Sequence, residues 1–191
     1  DWLASRLKTN NWSIKETIRD IVLSRTYRLS CSHSAKNNEL DPTNNFLWRA
    51  PIKRLDAESL RDAMLHVSGE LELTPPDGSV IASFNDREFN DRVHPSAEQL
   101  SSTHRSVYLP IARYWVPDML HEFDFADPSL VVGKRTERTM ASQSLFLMNS
   151  QIITDRAMRI AKDIAAQPEE ERATAAFRKI LLRDPTTSET T

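Results

Sequence analysis

Cysteine and glycine are nearly absent from this sequence. One cysteine, Cys31, stands alone among 191 residues. It has no partner for an internal disulfide, and no CxxC zinc or redox pair or CxxCH haem attachment can be written within the chain. Only three glycines occur, Gly69, Gly78 and Gly133. A phosphate loop or a dinucleotide fingerprint needs several glycines in one short run, so both are excluded. An excess of one charge is also lacking. Lysine and arginine total 25 against 27 aspartates and glutamates, a net of −2, which argues against a dedicated nucleic-acid binder. No apolar run approaches the roughly 20 residues of a membrane helix, and the opening residues show no signal-peptide pattern. No cofactor is expected in this chain.

What is present is helical patterning. The length suits one domain that buries a core without disulfides or metals. The best-signposted helix is predicted over 57–68. Asp56 has the character of an N-cap, and Leu55 and Leu60 occupy the two positions of a hydrophobic staple. Leu60, Ala63, Met64 and Val67 form one apolar stripe. Gly69 follows where a left-handed cap is expected.

Upstream, residues 1–8 read as the end of a helix. Ser13 and Glu16 have capping-box spacing for a helix over 14–27. Residues 30–45 are polar and rich in turn formers and read as a surface loop. Phe46, Leu47 and Trp48 read as the anchor that returns the chain to the core. Residues 70–104 form a long irregular insertion, a place to look for a binding edge. The alternation in RSVYLPIARYW (105–115) leaves room for a small β element, with Pro110 confining it to an edge. A short helix over 117–123, a loop over 123–129 and three further helical patterns complete the chain. These start at Ala141, beyond Ser150, and at Pro168. The fold class predicted is mainly α, an irregular helical domain with a long loop insertion.

The polar face of the central helix carries the densest charge. Glu58, Asp62 and His66 recur four apart and share one strip. They are the candidate catalytic residues, with Arg54 and Arg61 as anion contacts. The preferred reading is a solvated helix face with intrahelical ion pairs, since such faces are common. Two carboxylates four apart on one helix also approach a sugar from one side, whereas glycosidases flank the bond. Trp115, with Tyr114 and Tyr108, is a candidate stacking platform for a polysaccharide; burial in the core is the preferred reading. His121, Glu122 and Asp124, near Asp127, carry metal-ligand chemistry, but no calcium-loop or HExxH pattern fits, and no metal is expected. Cys31 and His33, two residues apart in the loop, have the chemistry of a catalytic thiol–imidazole or metal pair, but a chance neighbouring is the preferred reading.

Both ends suggest a segment of a longer protein. The first residues already lie inside a helical pattern, and Thr186 and Glu189 have capping-box spacing for a helix that never follows.

Taken in order, NWSIKETIRDIVLSRTYRLS, DPTNNFLWR, RLDAESLRDAML with HVSGEL, RSVYLPIAR, FDFADPS, SQSLFLMNS and LLRDPTTSE form a recognisable series. The chain resembles the C-terminal domain of unknown function of large planctomycete proteins, which often carry a cytochrome c-like domain at the N-terminus. The resemblance covers essentially the whole chain and is weakest between Pro75 and Thr103. It implies an exported, periplasmic or cell-envelope multidomain protein whose partners are its own other domains. It supplies no catalytic residues. Two functional expectations follow: a structural or interaction domain, preferred, and a hydrolase or binding module acting on sulfated polysaccharide.

Overall fold

The computed structural model describes residues 1–79, 102–111, 116–135 and 138–190. Among the described residues the chain is mainly helical, without a sheet, as its periodicity predicts. No described helix is long and apolar enough to cross a membrane. The chain, read from its length as one helical domain, comprises two compact units, residues 1–54 and 55–191.

In the first unit, α1 (Trp2–Thr9) packs on α2 (Ile14–Val22). The exposed pair Arg6–Asp20, 2.8 Å apart, pins them. The turn between them passes through Asn11 and Trp12 at positive φ, and Trp12 N–H closes it on the Leu7 carbonyl at 2.9 Å. Ser13 caps α2 by accepting from Glu16 N–H. The helix stops at Val22, short of the predicted Tyr27. Ser24 explains this: its hydroxyl accepts from Tyr27 N–H at 3.2 Å, a local bond that competes with continued helix. The predicted loop over 30–45 contains a short helix, α3 (Ala35–Leu40), capped by Ser34. Its sequence, AKNNEL, has no apolar period to announce it.

The loop after α3 is organised by Asp41, which is 7% exposed. Its carboxylate accepts from Asn45 N–H at 2.9 Å and Phe46 N–H at 2.8 Å. Its carbonyl accepts from Trp48 Nε1–H at 3.0 Å. Asn44 adds two side-chain bonds to the backbone of Arg49. Trp48 is half-buried under the Arg49 guanidinium, but Phe46 is 88% exposed rather than anchored. The Phe46 N–H bond chiefly, helped by Asn45 and Thr43, holds the Asp41 carboxyl below its ordinary range. A depressed folded value means the loop is favoured above the unfolded pKa and loosens as pH falls through the folded one. In an NMR pH titration the amide shifts of Asn45 and Phe46 are expected to move together, with a midpoint below the usual aspartate value of about 3.9. Asp41→Asn is expected to abolish that titration.

The second unit begins with α4 (Ala57–Val67), followed by a 3-10 turn (Ser106–Tyr108), α5 (Asp118–Glu122), α6 (Ala141–Asn149), α7 (Gln151–Ala165) and α8 (Glu169–Leu181). Asp56 caps α4 by accepting from Ser59 N–H at 2.9 Å, and Gly69 takes φ +75° just past its end, so both signals act as the sequence predicts. Ala57, Leu109, Met119, Leu120 and Phe123 form the buried core. Phe146 of α6 meets Phe123 edge to face, with centroids 6.1 Å apart. The β element reduces, among the described residues, to one bridge between Glu72 and His104. The 3-10 turn begins the segment read as a strand; Tyr114 and Trp115 lie outside the described residues, as does most of the predicted insertion. At the end of the chain the Glu189 carboxylate accepts from Thr186 N–H at 2.8 Å and closes a single 3-10 turn.

Candidate functional site

The helical period places Glu58, Arg61 and Asp62 on one side of α4, and each reaches a partner far along the chain. The Arg61 side chain is only 12% exposed. Its guanidinium donates to the carbonyls of Ser102 and, at 3.0 Å, His104, and to the Ser106 hydroxyl at 3.2 Å. Burial chiefly lowers the Arg61 pKa, with repulsion from Arg156 adding to it and Asp62 opposing. The group remains a cation, since arginine is not deprotonated in proteins.

Asp62 completes the bracket. Its Oδ1 accepts from both the backbone N–H and the hydroxyl of Ser106, each at 2.7 Å. Ser106 is itself 5% exposed. A carboxylate accepting two such bonds resembles a helix cap turned sideways: it satisfies the donors that begin the 3-10 turn. Arg105 stands 4.0 Å from the other Asp62 oxygen. Segment 102–108 is thus bound to α4 through at least five hydrogen bonds from adjacent side chains.

Glu58 faces another direction. It receives both guanidinium nitrogens of Arg135, at 2.6 and 2.8 Å. Arg135 also lies over the Phe125 ring, 5.1 Å from its centroid. The bond to Glu58 raises the Arg135 pKa. His66 is exposed in the last turn of α4, and Arg54 is exposed in the other unit.

The acidic stretch after α5 is likewise bound up. Asp124 adopts φ 62°. Its carboxylate accepts from Arg138 N–H at 2.9 Å and Arg138 Nε at 3.1 Å. The buried Gln143 side chain donates to the Glu122 carbonyl at 2.9 Å and accepts from Met140 N–H at 3.1 Å. His121 is exposed. Among the described residues no three His, Cys, Asp or Glu side chains converge as metal ligands. Tyr108 is 38% exposed. The His33 ring stands edge-on to Trp48.

Several important groups escaped the sequence reading. Ser106, Arg135, Arg138 and Gln143 were not among the candidates: Ser106 lies in the segment read as an edge strand and Gln143 in a helical pattern, and nothing around any of the four indicates its partner. Glu70 is another. It accepts from Ser68 Oγ at 2.9 Å and pairs with Arg159 at 3.1 Å and Arg156 at 3.5 Å, tying the end of α4 to α7. Beside this tie lies an apolar groove of about 300 Å³. Leu60, Met64 and Val67 of α4 and Ile153, Ala157 and Ile160 of α7 line it, with Ile180 of α8 at one side.

A family model described as PSD1, protein of unknown function (DUF1553), matches residues 1–191. No curated protein and no solved structure matches the chain.

Proposed function

Because this chain belongs to the PSD1 family of proteins of unknown function, we propose its role from its own geometry: it is a helical scaffold and interaction domain. The observation that carries this reading is the engagement of the α4 carboxylates. Asp62 spends its Oδ1 on Ser106, and both Glu58 oxygens receive Arg135. A general acid or base needs its oxygen within reach of a substrate proton. These oxygens instead fasten loop segments to a helix. The domain works within a larger exported planctomycete protein that carries a cytochrome c-like domain, and its partners are the other domains of that protein. The ordered run of motifs quoted above supports this part of the reading.

A thermal-shift screen against divalent metals and neutral and sulfated oligosaccharides tests it. Without ligand, Asp62→Ala is expected to melt lower than the wild type, and Glu58→Gln to differ by no more than about 1 kcal/mol, as befits a partly exposed ion pair. No ligand shift is expected to depend on either residue. A ligand at one hundred times its dissociation constant stabilises a fold by about 2.7 kcal/mol. Such a shift, lost in Glu58→Ala or Asp62→Ala variants that still fold, would replace the scaffold with a polysaccharide or metal site on α4.

A further inference from the structure

The charge of this chain is unevenly divided. Residues 1–54 hold ten lysines and arginines against five aspartates and glutamates, while residues 55–191 hold 15 against 22. The first unit therefore carries a net +5 within a chain of net −2, an imbalance that points to an anionic partner. Its cations are also available. Nine described arginines stand in ion pairs. Arg19, Arg25 and Arg28 join none among the described residues, and all three are exposed. Arg25 and Arg28 come from one turn, closed by Arg28 N–H on the Ser24 carbonyl at 3.2 Å. Together with Leu23, Leu29 and Ser30 they line a cleft of about 390 Å³ that no carboxylate lines. Paired guanidinium groups are well suited to hold a phosphate.

The helix that leads into this cleft is strongly amphipathic. Ile14, Ile18 and Ile21 recur along α2 at four and three residues, and they are 70%, 53% and 39% exposed. Trp12, in the turn before α2, is 67% exposed, and Tyr27, between the two arginines, is 63% exposed. Tryptophan and tyrosine favour the boundary between lipid and water. We propose that α2 and the turn after it dock on an anionic lipid bilayer, the isoleucine stripe among the outer acyl groups and a lipid phosphate between Arg25 and Arg28. This goes beyond the scaffold reading and does not depend on it. A basic amphipathic helix lies in the plane of such an interface, buried by about 5–10 Å. The two surfaces select the occupant together. A nucleic acid would satisfy the arginines but leave the isoleucines in water. An apolar protein groove would take the isoleucines but leave the arginines without counter-charge. Anionic headgroups over acyl chains meet both needs in one contact. The acids of α2 do not oppose it: Asp20 is held by Arg6, and Glu16 lies in the first turn, at the other end of the helix from the cleft.

The test is co-sedimentation of the full chain with vesicles of phosphatidylcholine alone and of phosphatidylcholine mixed equally with phosphatidylglycerol. The wild type is expected to bind the anionic vesicles at least about tenfold more strongly than the neutral ones. Raising the salt to about 1 M, where charges are screened beyond about 3 Å, is expected to remove that difference. Each basic residue near an anionic surface strengthens binding about fivefold, so Arg25→Ala with Arg28→Ala is expected to weaken it by about thirtyfold. Ile18→Glu, on the stripe, is expected to weaken it at least about tenfold. All three positions are exposed, and circular dichroism establishes that the variants fold. Should one fail to, Arg25→Lys with Arg28→Lys, which keeps the charge, is expected to retain most of the binding. Equal binding to both kinds of vesicle, or to neither, overturns the proposal. So does anionic binding that folded Ala and Glu variants leave unchanged. Release by inorganic phosphate beyond that by chloride at equal ionic strength would make the cleft a soluble-anion site instead. Binding to a short DNA duplex as tight as that to vesicles would equally overturn the lipid assignment. No outcome bears on the α4 carboxylates, whose test is the ligand screen.

Discussion

Replacing Arg61 by alanine is expected to lower folding stability by about 3 kcal/mol, which is roughly 6–12 °C in melting temperature for a chain of this length. The guanidinium is 12% exposed and serves three acceptors at once, the carbonyls of Ser102 and His104 and the hydroxyl of Ser106. Truncation leaves these acceptors short of a donor in a largely dry place. An unmade buried bond costs more than a made one contributes. Asp62, 3.6 Å from the guanidinium, would also lose its nearest cation. Lysine is not expected to rescue the loss. A single ammonium on a flexible stem cannot reproduce a planar fork that spans separate acceptors. Differential scanning calorimetry of Arg61→Ala and Arg61→Lys reads both effects. A change below about 0.5 kcal/mol, typical of a surface residue, would show that the bracket does not hold.

Leu120→Ala is expected to cost a similar amount, about 3 kcal/mol within the usual range of about 2–5 for leucine truncation in a core. Leu120 is fully buried, and it sits in a five-residue helix too short to persist without packing. Its neighbours in the core, Met119 and Phe123, come from the same short segment, while Ala57 and Leu109 come from α4 and the chain beyond the 3-10 turn. The cavity would therefore open where several segments meet. Leu120→Met conserves volume and is expected to cost less than about 1.5 kcal/mol. Chemical denaturation of the two variants compares them directly.

The two expectations describe two kinds of information in the sequence. Local signals were legible. Asp56 and Gly69 bound α4 because a cap needs only its own helix; its apolar stripe was legible too, but only Leu60 and Met64 of that stripe pack against the core, and the fully buried residues of α4, Ala57 and Leu65, lie outside it. The short helix predicted over 117–123 carries Leu120 and Phe123 three residues apart, a local period of the same kind, and both are buried. The helix over 35–40 was not readable, because its stability comes from the Ser34 cap and not from an apolar period. The early end of α2 turns on Ser24, a residue that suits a helix or a turn according to which partner it finds. Leu182 closes α8 in the left-handed region, where the sequence offers no glycine to signal the stop.

The polar face of α4 was legible only in part. Its charge density marks Glu58, Arg61 and Asp62, but spacing along one helix says nothing of what approaches from outside. Ser106 lies 44 residues from Asp62, and Arg135 lies 77 from Glu58. The sequence neighbours of neither residue indicate that pairing. The same residues, meeting water instead, would have looked identical in the sequence. Asp124 gives the parallel case. Its neighbours His121 and Glu122 suggest metal ligands, but Arg138 and Gln143, brought in by the following segment, occupy its oxygens.

The central claim is that the Asp62 carboxylate is a fastening for the segment that begins at Ser106. A double-mutant cycle measures that directly, with Asp62→Ala, Ser106→Ala and the double variant compared in equilibrium unfolding. The bracket predicts a coupling of about 1–3 kcal/mol, as for a hydrogen bond between a hydroxyl and a charged group away from solvent. Additive effects, with coupling below about 0.3 kcal/mol, would contradict it and return Asp62 to the residues open to a ligand.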